Sequence, residues 1–414
     1  MYMIRRLVSG HPAVLALTGL LLAIALWPSA PAQAAGTPKP GIPEAGGMLY
    51  PSGFFGAHAR GLDQVDEIVE AADHALKQAG VREGIGAMMQ HTILLKDGAL
   101  NPLDVLTRFH AVARRLAPSL KPQPSVGTIL RVPGFEDPHT LVGVDLSAAP
   151  SGTTAGLARI PFKFGPQEIG QSISSEHLVF SAGLEAMDFE HGTLAPTLEQ
   201  QVDAVTGKLV KTLQDAGVSV NQMVSHNLYV ARGSDPLKVA ELFHRSLDAR
   251  VPGLAAAQSV GTLVVVDGMA GPGFKLEMDA IATRGDAASV RRAAYDPAQP
   301  VARSASLDGL VLTSSIDAMS QAGQALPKGA VAQAAVVARH LVDAVKAAGG
   351  SAAGLVKIRL FVKTGNDLRK VHRAFAEALR RAGAHEPAYT VFAVEALENP
   401  SLECAATAVA AMHR

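Results

Sequence analysis

The chain has 414 residues, 48% of them hydrophobic and 18% charged, with 37 basic side chains balancing 37 acidic ones. That balance exerts no pull towards nucleic acid or an anionic membrane surface, and one cysteine, Cys404, excludes an intramolecular disulfide. A chain this long exceeds one ordinary core and predicts two or three domains resting on packing alone.

Residues 1–34 read as a secretory signal. Arg5-Arg6 precedes an apolar run from Ala13 to Trp27, and Ala32-Gln33-Ala34 offers a small-residue cleavage site. The apolar run is shorter than the roughly 20 residues a spanning helix needs. The expectation is cleavage after Ala34, a periplasmic or secreted location, and no stable membrane anchor afterwards. Trp27 is the chain's one tryptophan, so a mature form would show tyrosine fluorescence.

Three segments of similar pattern follow. In the first, Met48-Leu-Tyr-Pro-Ser-Gly53 leads into a helix with Val65, Ile68, Ala72 and Leu76 on one face. Then come a strand run Gln90–Gly98, a helix with Val105, Phe109 and Val112, and strand runs Ser125–Thr128 and Leu141–Asp145. The second opens on Leu178–Gly183 and a helix carrying Leu198, Val202, Val205, Leu209 and Leu213. It continues with Val224–Val230, a helix with Val239, Leu242, Phe243 and Leu247, and strand runs Ser259–Val266 and Phe274–Ala282. The third has Leu310–Ser315, a helix with Val337, Leu341 and Val345, then Ile358–Gly365. A helix with Val371, Phe375 and Leu379, Tyr389–Val391 and Leu402–Cys404 complete it.

Two landmarks recur at steady spacing. Gly98, Gly233 and Gly365 are 135 and 132 residues apart, and Val126, Val260 and Val391 are 134 and 131 apart. Such periodicity marks tandem copies of one unit. The joining segments, 148–156 and 285–300, are rich in Ala, Gly, Ser and Pro and read as linkers. The expected domains are 40–150, 160–285 and 295–412.

The second copy resembles the RidA (YjgF) family over about 120 residues. The resemblance is carried by Leu178-Val-Phe-Ser-Ala-Gly183, by the amphipathic helix ending in Ala216-Gly217, by Asn227–Asp235 running into Val239–Phe243, and by Lys275–Arg284. It implies an α+β, chorismate-mutase-like sheet-and-helix domain that trimerises around a barrel-like core, with ligand clefts between subunits. It also implies hydrolysis of imines or enamines without metal or organic cofactor. Three copies in one chain then imply a monomer that closes as an intramolecular pseudo-trimer, with effective concentration replacing association.

Family positions carried over one at a time give the candidate site. The family arginine that grips a substrate carboxylate is replaced by Pro122-Gln-Pro124 in the first copy, by Gln258 in the second and by Tyr389 in the third. Arg131 lies seven residues beyond Pro124. The water-activating glutamate corresponds to Glu277 and Glu403, and to Gly143 in the degenerate first copy. The small pair after the early strand is Ser52-Gly53, Ala182-Gly183 and Ser314-Ser315, and the family asparagine becomes Leu106, Ala240 and His372. The expected catalytic residues are Glu277 and Glu403. The expected ligand contacts are Gln258, Tyr389, His372, Ser314, Ser315, Gly183, Ser52 and Gly53. Each also has a structural alternative: ion-paired glutamates, a surface histidine, small residues serving strand packing.

Other chemistries lack their motifs. The chain contains no Gly-x-Ser-x-Gly, His-Glu-x-x-His, paired cysteines or phosphate-binding glycine loop. His91 and His226 match in two copies but Ile358 replaces them in the third, so no metal site is expected. Three functions stay open: a binding protein for a small polar metabolite with deaminase chemistry lost or altered, a hydrolytic imine or enamine deaminase, and a structural module with dead clefts.

Overall fold

A computed structural model describes residues 42–118, 125–164, 167–251, 258–294, 301–319 and 325–412. The signal-like segment 1–34 and Pro122–Pro124 lie outside them. The six helices expected from apolar periodicity are α1 (Asp63–Gln78), α2 (Pro102–Leu116), α3 (Leu198–Asp215), α4 (Pro236–Arg250), α5 (Ala330–Ala347) and α6 (Leu368–Arg381). Asn101, Asp235 and Asp367 cap α2, α4 and α6, their side chains accepting from first-turn amides. Pro102 and Pro236 follow two of these caps, where a missing N–H costs nothing.

Each copy is a mixed α+β unit with the same wiring. A long strand (Met88–Lys96, Met223–Ala231 or Gly350–Lys363) pairs parallel with the next-to-last strand and antiparallel with the last one. Strand alternation splits each sheet into two faces. One face packs on the unit's own helix pair: Ile93 and Leu95 against α1 and α2, Leu228 and Val230 against α3 and α4, Leu360 and Val362 against α5 and α6. The other face meets the neighbouring units. Leu94, Tyr229 and Phe361 share one cluster, and Met89, Val224 and Val356 share another.

Between those apolar clusters lies a buried polar layer. Asp145 of the first unit accepts from the Thr390 hydroxyl at 2.7 Å and pairs with Lys357 and Arg359, all three from the third unit. Asp279 of the second unit accepts from Asn227 at 2.7 Å and from Thr128 of the first unit at 3.4 Å.

The same backbone bond joins the units three times. Gly183 N donates to Gly127 O at 2.9 Å, Ser315 N to Gly261 O at 2.9 Å, and Gly53 N to Tyr389 O at 2.8 Å. Each early strand therefore rests on the next-to-last strand of the preceding unit, and the third unit passes contact back to the first.

Two expectations need correction. The stretch 285–300 is not simply a linker, because Arg291–Ala294 forms a strand paired with Ala302–Leu307. Val391 is not the counterpart of Val126 and Val260: those two pair with Gln90 and Ser225, whereas the matching Lys357 pairs with Ala388. The third unit is three residues shorter between its helix and this strand. A strand run that is apolar throughout does not reveal such a slip.

Candidate functional site

Each cleft draws residues from two units, because the early strand of one rests on the next-to-last strand of the preceding one. The cleft between the first and second units pairs the start of strand Val126–Val132 with the last strand of the second unit, Leu276–Thr283. Glu277 is 2% exposed there. It accepts from the Ile129 amide and lies beside the Thr128 hydroxyl, which it shares with Asp279, while its Oε2 has no partner among the described groups. Gly183 makes this approach possible, since a Cβ would lie 1.8 Å from Glu277 Oε1.

Directly opposite Glu277 in the antiparallel register stands Glu185. Side chains so paired lie roughly 5 Å apart at Cβ, and two ionised carboxylates cannot both be accommodated in a buried site. Burial pushes Glu185 up to about 7, opposed by Lys208. Burial first, then the charges of Glu185 and Asp279, hold Glu277 well above the carboxylate range. The pair therefore keeps a proton near neutrality.

Lys208, on α3, completes the polar end. Its Nζ donates to Glu185 O at 2.8 Å and to Met187 O, and sits 5.1 Å above the Phe189 ring. Burial lowers its pKa, while Glu185 and Asp188 raise it. The cavity holds about 330 Å³ and has apolar walls, among them Leu106, Phe162, Ile169 and Leu184. His110, Gln171 and Lys211 add polar groups.

The other two clefts differ at the same two positions. Between the third and first units, Phe55 stands where Glu185 does and Gly143 where Glu277 does. A Cβ on Gly143 would lie 2.5 Å from the Phe55 ring, so this glycine admits an aromatic plug. Phe135 packs on that ring at 5.5 Å. His372 and Tyr389 reach this cleft with rings 4.7 Å apart, and His372 Nδ1 pairs with Glu136 Oε1 at 2.8 Å. Ser52 Oγ accepts from the Tyr389 amide at 3.3 Å. Between the second and third units, Asp317 faces Ala405. Ser314 Oγ there joins Gly261 N at 2.8 Å and Ala302 O at 2.5 Å, and the Ser315 amide bonds the same strand. These hydroxyls serve backbone joints. Gln258 lies half-buried three residues before Gly261.

Two sequence assignments change. The counterpart of Glu277 in the third unit is Ala405: Tyr229 faces Glu277, and the matching Phe361 faces Ala405. Glu403 corresponds to Lys275, since the amides of Leu141, Lys275 and Glu403 each donate to a buried glutamine, Gln64, Gln201 and Gln333 respectively. The Glu403 carboxylate is held outside the clefts by Asn366 at 2.8 Å and Lys363 at 3.7 Å. Tyr389 likewise matches Gly127 and Gly261 rather than Gln258.

The sequence reading missed Glu185 and Lys208. A usable signal existed: two residues beyond each small pair stand Phe55, Glu185 and Asp317, an apolar and two acidic residues at one repeated position. Seven residues beyond Gln64, Gln201 and Gln333 stand Ala71, Lys208 and His340. His91 and His226, by contrast, are packing residues. They lie 4.7 Å from Phe109 and 5.2 Å from Phe243, and burial lowers both to about 3. Cys404 is buried in its unit's core, and burial raises its thiol to about 12.

Compared with known proteins, residues 168–284 match the family described as Endoribonuclease L-PSP. No curated protein matches the chain. Among solved structures, a chorismatase is 13% identical, with 80% of this chain and 95% of that chain covered at a TM-score of 0.49. The YjgF gene product of E. coli is 23% identical, covering 30% and 94% at a TM-score of 0.27. Rv2704 of Mycobacterium tuberculosis, a member of the YjgF/YER057c/UK114 family, is 21% identical, covering 30% and 100% at a TM-score of 0.26.

Proposed function

With residues 168–284 a domain of the Endoribonuclease L-PSP family, the RidA/YjgF family, we propose that the protein hydrolyses small imines or enamines in a single working cleft, between its first and second units. The observation that carries this reading is the opposed pair Glu277 and Glu185, with Glu277 Oε2 unpartnered in a cavity of about 330 Å³. A pair holding one proton contains a base and an acid at once. The ionised carboxylate takes a proton from water as the water oxygen adds to the C=N carbon, and the protonated one gives its proton to the nitrogen. The carbinolamine then loses ammonia and leaves a carbonyl. The Lys208 ammonium stabilises negative charge beside the pair.

The repeated joint between early and next-to-last strands supports a ring closed within one chain, the intramolecular pseudo-trimer. Residues 1–34 support an exported protein. The chain from Ala35 should scatter light with the mass of one copy; a particle of three chains or more would end intramolecular closure.

The activity test generates imines in situ with an amino-acid oxidase acting on alanine, leucine, phenylalanine or glutamate, and follows ammonia release. Acceleration above the spontaneous rate is expected for at least one imine. If no imine is accelerated while small metabolites still raise the melting temperature, the hydrolase reading gives way to metabolite binding.

A further inference from the structure

Beyond Glu185 the cleft opens into an outer chamber of about 700 Å³. Glu185, Phe189 and Ala270 line both spaces, so the chamber adjoins the cavity of Glu277. Its walls are mostly apolar, with Leu100, Leu103, Met187 and Phe274 among them. Arg131 is the one cation among the described lining residues.

Arg131 is built into this wall. Gly127, Ile129 and Arg131 alternate onto one face of their strand, and Gly127 and Ile129 line the inner cavity. The guanidinium is fixed by Nε to Met269 O at 3.2 Å and by Nη1 to Asp97 Oδ1 at 3.0 Å. Nη2 lies against Gly268, where a Cβ would come within 2.1 Å, so a glycine is needed for the arginine to lie there. Asp97 also meets Arg232 at 3.3 Å, which Asp267 at 2.9 Å and Glu395 at 3.2 Å hold as well, and the Arg131 side chain remains one-third exposed. The N-terminus of α2, at Asn101–Leu103, borders the chamber and adds a positive dipole end.

We infer that the outer chamber holds an anionic group of the ligand on Arg131. The preferred substrate is then an organic acid whose carboxylate is separated by an apolar spacer from the group placed at Glu277. The spacing follows from the strand: Arg131 lies two positions beyond Ile129, whose amide bonds Glu277, or roughly 7 Å along it. An α-imino acid's own carboxylate does not span that distance. The substrate class rests on the hydrolase reading; the anion subsite itself does not.

The test measures binding of 3-phenylpropanoate and 3-phenylpropanamide to the chain from Ala35 by titration calorimetry. The acid should bind about 10-fold tighter than the amide, as a charge-assisted contact of moderate strength gives. Arg131→Gln should erase that preference and Arg131→Lys reduce it. Asp97→Asn, which removes the counter-ion, should enlarge it and gives a reading even where an Arg131 variant fails to fold. Glu277→Gln should leave the preference intact. Equal binding of acid and amide, no binding of either, or a preference that survives Arg131→Gln overturns the subsite. Imine hydrolysis without the preference removes only this inference; the preference without hydrolysis removes only the catalytic reading.

Discussion

Glu277→Gln should lower imine turnover by roughly 10² to 10⁴, the usual contribution of a positioned acid or base, while the protein keeps its fold. Glutamine retains the shape and can still accept from the Ile129 amide, but it cannot exchange a proton. The pH profile gives a second reading. The wild-type rate should fall on the alkaline side near pH 7, where the shared proton leaves a pair in which burial has raised Glu185 to about 7. Such a limb belongs to the pair rather than to one residue, so Glu185→Gln should displace or abolish it. A Glu277→Gln enzyme with undiminished turnover would remove Glu277 from the chemistry.

The same pair links stability to pH with a definite sign. A carboxylate whose folded pKa is raised binds its proton more tightly in the native state. Its stabilising contribution is complete below the ordinary value of 4.5 and is lost as pH rises towards about 7. His91 and His226 act oppositely. Their folded values are depressed from 6.5 to about 3, so their contribution is complete above 6.5 and is lost as pH falls. The two slopes overlap, and only the difference between wild type and Glu185→Gln isolates the carboxylate term. Across pH 4.5 to 7 that difference should shift in favour of the variant as pH rises.

Asp145→Ala should be the most destabilising single change among the polar groups of the centre. Asp145 is 2% exposed and Lys357 is 4% exposed, and Arg359 and the Thr390 hydroxyl converge on the same carboxylate. Lys357 also donates to Pro51 O, so the ammonium is tied to the first unit twice. Removing the carboxylate leaves two cations without their counter-ion, and breaking a buried pair from one side costs about 3–5 kcal/mol. Chemical denaturation of wild type and variant at pH 7 measures the loss, and a difference below about 1 kcal/mol would show that water or Asp279 compensates. Burial alone would raise the Asp145 pKa, but Lys357, Arg359 and the Thr390 hydroxyl hold it well below the ordinary value of 3.8. This contribution is present above pH 3.8 and is lost as pH falls below it. Acid should therefore loosen the joint between the first and third units.

Much of the unit was legible in the sequence because its causes are local. Apolar residues at helical spacing fixed α1 to α6, since a stripe such as Val65, Ile68, Ala72 and Leu76 has one way to be buried. The recurrence of Gly98, Gly233 and Gly365 exposed the repeat, each with positive φ in the turn that follows the unit's long strand. Glu277 was readable too, at the family's glutamate position near the start of the last strand.

What the sequence left undetermined depends on which unit faces which. Glu277 acts with Thr128 and Ile129, about 150 residues away, because each cleft combines the next-to-last strand of one unit with the last strand of the following one. Reading polar residues copy by copy therefore grouped Gln258 with Glu277, and Tyr389 and His372 with Glu403, although Gln258 and Glu277 belong to different joints and Glu403 is tied to Asn366 and Lys363 outside the clefts. A three-residue contraction before strand Ala388–Val394 hid the true counterparts of Tyr389, and the register of the last strand set Glu403 apart from Glu277. The opposition of Glu185 to Glu277 and the Phe55 plug over Gly143 are likewise tertiary facts. A side chain's partners across a sheet are set by register, and register is fixed by the packing of neighbouring units rather than by any single segment.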